Sequence, residues 1–387
     1  MLRVVTLSTL FPDATRPNFG VFVERQTLGL AAERDTHVTV VAPVGLTPWP
    51  LRRAEHRAQA ALPLEERWKG LTIYRPRFAS LPAANGRWHA ALLARAVAPV
   101  LDRLRGGFDV IDASFFFPDG PAAVALGRRY GVPVSIKARG ADIHHWGRVR
   151  RAQVLAAGRA ADGLLAVSDA MRADMAALGL PAERVRVHRT GVDRERFHPG
   201  DRLAAKARLG LAGRAVLSLG ALIPRKGHDV VLGAVARLRD VTLLIAGDGP
   251  ERRALQAQAA RLGVADLVRL LGAVPHGALP DLIRAADVMA LASASEGLAN
   301  AWVEALACGT PIVVTDAGGA GEVVTTPAAG RIAARTPEAF AAAIAALLAD
   351  PPAPADVAQA AEPFSWERNA CELRAHLAEL VAARATL

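Results

Sequence analysis

The sequence predicts an α/β protein made of two Rossmann-like domains, each a parallel sheet wound with helices, followed by a C-terminal helix. Three observations carry this reading. The chain has 387 residues, too many for one ordinary core and suited to two domains of roughly 150 to 200 residues each. Short β-branched runs alternate with helical runs almost throughout, as parallel sheets require. These runs form two series, parted by turn residues without a period in Gly191-Val-Asp-Arg-Glu-Arg-Phe-His-Pro-Gly-Asp201.

In the first series, strands are expected near residues 3–7, 37–42, 71–75, 108–112, 134–138, 164–167 and 185–188. The second series gives strands at 215–220, 241–247, 268–271, 288–291 and 312–315, with a helix at 298–307. The tail after Pro363 reads as a final helix to about Ala383. The expected domains are 1–195 and 196–363, with 364–387 as a helix packing back near the first domain. Open α/β sheets bind ligands beyond the carboxyl ends of their strands, so two facing domains would place them in an interdomain cleft.

Composition narrows the classes of function. Hydrophobic residues make up 52% and charged residues 22%, which fits a globular chain and excludes a disordered one. No run of about 18 apolar residues is present, and the opening Met-Leu-Arg-Val-Val-Thr-Leu-Ser lacks a charged region before a long apolar one. Neither a transmembrane span nor a secretory signal is expected. Two cysteines, Cys308 and Cys371, cannot build a disulfide framework or a cysteine zinc site, which suits a reducing cytoplasm. Cys308 reads as a small buried thiol.

The net charge of +10 is uneven: residues 1–200 carry 29 basic against 18 acidic side chains, residues 201–387 carry 18 against 19. Residues 51–105 alone hold 11 basic and 4 acidic groups, with Trp49, Trp68 and Trp88 in or beside them. An anionic partner surface is implied. Within this segment Leu93, Val97, Val100, Leu101 and Leu104 recur at helical spacing. Two readings follow: a helix packed on the first sheet, or peripheral contact of part of 49–105 with an anionic bilayer at the inner membrane face. Nucleic acid is not an expected partner, because the segment carries no recognisable nucleic-acid module. Only 4 of the 47 basic residues are lysines, so each lysine merits inspection.

The segment richest in chemistry is Ala292-Ser-Ala-Ser-Glu-Gly-Leu-Ala-Asn-Ala-Trp-Val-Glu-Ala-Leu-Ala-Cys-Gly-Thr-Pro-Ile-Val-Val-Thr315. It places Glu296 at the carboxyl end of a strand and begins a helix whose amides suit a phosphate. Eight residues of helix put Glu304 at most roughly 12 Å from Glu296. That is too far for a paired acid and base. The two carboxylates can instead hold two ends of an extended ligand, such as the sugar and ribose of a nucleotide sugar; the structural alternative is a solvated loop charge and a helix cap.

Glu296-Gly-Leu-x-Asn-x-x-x-Glu304 resembles the Glu-x7-Glu signature of family 4 retaining glycosyltransferases. Three further segments agree in order: Arg189-Thr-Gly-Val-Asp193 with Phe197 and Pro199, Leu219-Gly-Ala-Leu-Ile-Pro-Arg-Lys-Gly-His228, and Ile245-Ala-Gly-Asp-Gly-Pro-Glu251. The resemblance covers essentially the whole chain and implies the GT-B fold, with an acceptor-binding first domain and a donor-binding second domain. It is nearest in flavour to cell-surface polysaccharide enzymes of the teichuronic-acid type.

The resemblance implies that Glu296 contacts the donor sugar, Glu304 the ribose and Lys226 the diphosphate. The family's usual arginine falls on Ala221, so Arg225 is the candidate second cation. Gly20, Gly220, Gly249, Gly297, Leu298 and Asn300 are implied donor contacts, and Asn18, Arg139, Asp142 and His144 implied acceptor or cleft residues. Arg139 stands where relatives often have histidine, and Gly20 where they have two glycines. His144 and His145 read as a polar loop; as metal ligands they lack a third partner. The chain contains no Asp-x-Asp, so neither a divalent metal nor another cofactor is expected beside the nucleotide-sugar donor. Retention implies no general base, so the protein's task is to position the partners and stabilise the leaving diphosphate. A same-fold nucleotide-sugar epimerase and a silent nucleotide-sugar binder are the rival readings.

Overall fold

The structure, a computed structural model, describes residues 1–48, 54–81 and 84–386. The chain divides into two compact units, Met1–Gly191 with Trp366–Leu387, and Val192–Ser365.

The first unit contains β1 (Leu2–Leu7), β2 (Thr36–Val41), β3 (Val44–Leu46), β4 (Glu65–Trp68), β5 (Leu71–Tyr74), β6 (Arg77–Ala79), β7 (Val110–Ala113), β8 (Val134–Ala138), β9 (Gly163–Ala166) and β10 (Val185–Val187). Eight form one sheet in the order β10-β9-β8-β7-β1-β2-β5-β4, while β3 and β6 pair separately. The large sheet is parallel except for the β4–β5 edge hairpin. The strand order reverses between β1 and β7.

The second unit contains β11 (Arg214–Leu219), β12 (Val241–Ala246), β13 (Val268–Gly272), β14 (Val288–Leu291), β15 (Ile312–Val314) and β16 (Gly330–Ile332). They form one parallel sheet in the order β13-β12-β11-β14-β15-β16. That is the doubly wound order, whose switch point lies between β11 and β14. Helices cover both faces of such a sheet, so central strands read as unbroken apolar runs. Every residue of β14 is buried.

The predicted strands all form, and the structure adds β3, β4, β6 and β16. These four have three or four residues each, and β4 and β6 contain arginines, so no apolar run announces them. The helix expected at 298–307 spans Asn300–Ala307, because Ala299 keeps an extended backbone, φ −76° and ψ 119°.

The helix His89–Arg103 directs Leu93, Val97, Val100 and Leu101 inward and packs on the helix Asp119–Tyr130. Its apolar stripe is therefore core. Leu104 follows as a half-buried cap. The last helix, Trp366–Ala385, lies on the helix Val21–Ala32, with Leu373 and Leu377 in the same apolar cluster as Val4, Val23 and Val40. A Cβ at Gly29 would approach Ala370 Cβ to 3.2 Å, so glycine there sets how closely the two helices pack.

Candidate functional site

At the switch point of the second unit, the loop leaving β11 carries Arg225 and Lys226 and the loop leaving β14 carries Glu296. Gly227 allows them to meet. Its φ is +68°, and a Cβ there would lie 2.1 Å from Ala292 O, so only glycine seats the first loop against the second. Ala294 N donates to Arg225 O at 2.7 Å. Arg335 stitches the same loops from the far side, with Nε on Ala292 O at 2.8 Å and Nη2 on Pro224 O at 2.9 Å.

Lys226 Nζ thereby reaches Glu296 Oε1 at 2.5 Å, and Arg225 Nη1 lies 3.4 Å from Oε2. Ser293 Oγ donates to Oε1 at 2.7 Å. Glu296 is 7% exposed. Burial pushes its carboxyl upward, but Lys226, Arg225 and Ser293 overcome that and hold it below the ordinary glutamate value. The result is an ionised carboxylate with two cations at the carboxyl ends of β11 and β14, able to exchange partners with an anionic ligand.

The neighbouring glycines shape this loop pair. A Cβ at Gly249 would lie 2.4 Å from Leu222 O, and one at Gly247 would lie 1.8 Å from Gly220 O. Gly220, with φ +153°, starts the loop beside the Lys226 stem. Gly297 O accepts from Gly319 N at 2.8 Å. Leu298 is buried at 8% exposure, and Asn300, half-buried, opens the helix Asn300–Ala307.

Glu304, in the second turn of that helix, pairs with His276 Nε2 at 2.8 Å. Cys308 is buried, which pushes its thiol up to about 12. An inert packing role fits such a group.

In the first unit, Gly20 (φ +72°) starts the helix Val21–Ala32, and a Cβ there would lie 2.5 Å from Leu10 O. Asn18 is exposed beside it. Arg139 follows β8; its Nε donates to Ser114 O at 2.6 Å, its Nη2 to Gln26 Oε1 at 3.1 Å, and it lies over the Phe22 ring. Asp142 occupies an interior place with no exposure and accepts from the amides of Phe116, Arg139 and Gly140 at 2.9, 3.0 and 2.7 Å. It anchors the loops after β7 and β8 to each other. His144 Nε2 pairs with Asp174 Oδ2 at 2.8 Å.

Several functional-looking groups escaped the sequence reading. Ser293, Arg335 and His276 sit in no spacing that marks them. Lys137 carried one signal, its membership of the four lysines: fully buried, its Nζ contacts Gln26 Oε1 and His188 Nδ1, both at 2.9 Å. Burial pushes the nearby Asp112 up to about 6 despite Lys137 and Arg139.

In the basic segment, Trp49 lies outside the described residues. Trp68 Nε1 bonds to Glu24, and Arg75 is a buried partner of Glu66 at 2.5 Å. Trp88 is 49% exposed with Arg87 over its ring, beside a cavity of about 600 Å³ that Asn85 and Arg150 also line. Among the described residues no helix is long and apolar enough to cross a membrane.

Comparison with known proteins shows what the chain is similar to. Residues 202–363 match the family model "Glycosyl transferases group 1" and residues 20–196 match "Glycosyltransferase Family 4". A GDP-mannose-dependent alpha-(1-6)-phosphatidylinositol monomannoside mannosyltransferase of Mycolicibacterium smegmatis is 32% identical over 340 residues, 82% of this chain and 89% of the relative. A D-inositol 3-phosphate glycosyltransferase of Segniliparus rotundus is 38% identical over 204 residues, 49% of this chain and 45% of the relative, so the alignment spans about half of each. The putative teichuronic acid biosynthesis glycosyltransferase TuaC of Bacillus subtilis is 27% identical over 331 residues, 82% of each chain.

Among solved structures, sucrose-phosphate synthase from Thermosynechococcus elongatus matches with TM-score 0.84 at 20% identity, over 99% of this chain and 100% of that one. Anabaena Alr3699/HepE in complex with UDP-glucose matches with TM-score 0.71 at 21% identity, over the same shares. These likenesses give the GT-B fold.

Proposed function

This chain belongs to the family 4 glycosyltransferases, and from that premise we propose that it is a retaining, metal-independent hexosyltransferase that moves a sugar from a nucleotide-sugar donor to a hydroxyl of a glycan or lipid-linked glycan in cell-surface polysaccharide synthesis. The observation that carries the reading is the contact of Lys226 with Glu296 at 2.5 Å across the switch point.

The donor's diphosphate takes the cations. Lys226 and Arg225 turn from the carboxylate to the phosphate oxygens, and the amides opening the helix Asn300–Ala307 add a further anion-binding element. Glu296, still ionised, then accepts hydrogen bonds from hydroxyls of the transferred sugar, and Glu304 accepts them from the ribose. In the transfer step the bond from the anomeric carbon to the phosphate oxygen breaks and the bond to the acceptor oxygen forms on the same face. The acceptor's proton passes to the departing phosphate oxygen. The charge that grows on the leaving group is stabilised by Lys226 and Arg225, so no divalent metal is required.

The first unit supplies the acceptor side, with Asn18, Arg139 and His144 as candidates near its strand ends. A lipid-linked acceptor is supported by the excess of basic charge in 51–105 and by the exposed Trp88 under Arg87. Such a surface suits peripheral binding to an anionic inner leaflet.

The test is incubation with UDP-, GDP- and ADP-sugars and a lipid-linked glycan extract in EDTA, followed by proton NMR of the product's anomeric centre. The donor's anomeric configuration in the product supports the reading. An inverted product, or a requirement for metal, contradicts it, and a changed donor sugar without acceptor identifies an epimerase.

A further inference from the structure

Glu304 is not left to solvent. Its Oε1 faces His276 Nε2 at 2.8 Å, with the two side chains 14% and 23% exposed. A carboxylate only accepts, so the imidazole Nε2 carries the hydrogen of this bond. His276 is itself held on two further sides. Its ring lies 5.3 Å from that of Phe197, a side chain with 1% exposure, and its carbonyl accepts from Arg196 Nη2 at 3.4 Å. Histidine and glutamate come from separate elements: the turn His276–Ala278 after β13, and the helix Asn300–Ala307 after β14.

We propose that His276 is a positioning residue that fixes the Glu304 carboxylate as a receptor for the ribose diol, so that the preference for ribonucleotide donors depends on the His276–Glu304 bond. This rests on the reading of Glu304 as the ribose contact. A free glutamate distributes its carboxylate over several rotamers; one bonded to a braced ring presents one orientation. A carboxylate has about four lone-pair sites, so a single bond from His276 leaves both oxygens able to accept from a vicinal diol. Phe197 packs against the imidazole and Arg196 holds the His276 backbone, so the ring stays beside the carboxylate.

The test uses the full-length protein and calorimetric titration with UDP, GDP and ADP, then with the 2′,3′-dideoxy form of whichever binds tightest. Hydrogen bonds to a charged group predict that the wild type favours the ribose form by about 10-fold or more. His276→Ala is expected to bring that ratio to within about 3-fold while affinity for the dideoxy form stays unchanged. His276→Gln, whose amide can supply the N–H, keeps most of the ratio. If His276→Ala fails to fold, His276→Phe preserves the packing on Phe197 without the donor and is expected to lose the ratio equally.

A full ratio in His276→Ala or His276→Phe overturns the proposal. Glu304→Ala separates the two levels. If it collapses the ratio and the His276 variants do not, only the positioning role fails; if it leaves the ratio intact, or the wild type shows none, the ribose reading of Glu304 fails with it.

Discussion

Replacing Lys226 by alanine takes the nearest cation from a carboxylate that is 7% exposed. Removing one partner of a buried ion pair costs about 3–5 kcal/mol. Arg225 remains at 3.4 Å but is 39% exposed, and Ser293 still donates, so the lower end applies: about 3 kcal/mol at pH 7. In a Glu296→Gln background no buried charge is stranded, and the same substitution should cost no more than about 1 kcal/mol. The coupling between the two positions is therefore at least about 2 kcal/mol.

Trp302, fully buried in the second unit, provides a local probe. Fluorine NMR of 5-fluorotryptophan-labelled protein, with the Trp302 signal assigned through Trp302→Phe, reads that unit's urea transition separately from the other tryptophans. Glu296 is held below its ordinary value, so the coupling is present above that value and fades as pH falls through the lowered one. Equal costs of Lys226→Ala in both backgrounds at pH 7 would refute the reasoning, because the pair would then contribute nothing beyond its separate members.

Gly227→Ala combines a left-handed backbone with a Cβ 2.1 Å from Ala292 O and should cost about 2–4 kcal/mol and most of the sugar transfer. Gly210→Ala, at φ +61° with open space around it, should cost only about 1–2 kcal/mol and leave transfer intact in the same assays. Asp119 is the opposite case to Glu296: burial pushes it up to about 7, so its stabilising effect is complete below about pH 4 and is lost as pH rises through 7. That loss approaches about 4 kcal/mol, and Asp119→Asn should flatten it in urea unfolding followed from pH 4 to 8. Flotation with anionic liposomes at low salt should retain the wild type and lose much of an Arg87→Ala, Trp88→Ala variant; equal flotation of both would place the bilayer contact elsewhere.

The fold was legible wherever strands are buried on both faces. β11, β12 and β14 announce themselves as apolar runs because each lies inside a parallel sheet, whereas β4, the outer strand of an edge hairpin, and β6, paired with the earlier β3, alternate or interrupt their apolar residues. The stripe Leu93, Val97, Val100 and Leu101 fitted both a core helix and a surface one, and only packing decided for the core.

At the site, the resemblance to family 4 glycosyltransferases pointed to Glu296, Lys226 and Arg225. It was silent on Ser293, which bonds Glu296 within one loop, and on Arg335 and His276, whose partners Ala292 and Glu304 lie far from them in sequence. The sequence also placed Asp142 among ligand-facing groups. In the structure its oxygens are occupied by backbone amides, a role any buried loop carboxylate can take and no motif distinguishes.

The most direct test of the central claim is to follow nucleoside diphosphate release and donor binding together, for wild type and Glu296→Gln, in EDTA with a lipid-linked glycan extract. The account predicts acceptor-stimulated release from one donor by the wild type, and near-complete loss of release in Glu296→Gln while that donor still binds. Near-normal turnover in Glu296→Gln, or no release by a wild type that binds donor and meets its acceptor, would contradict it.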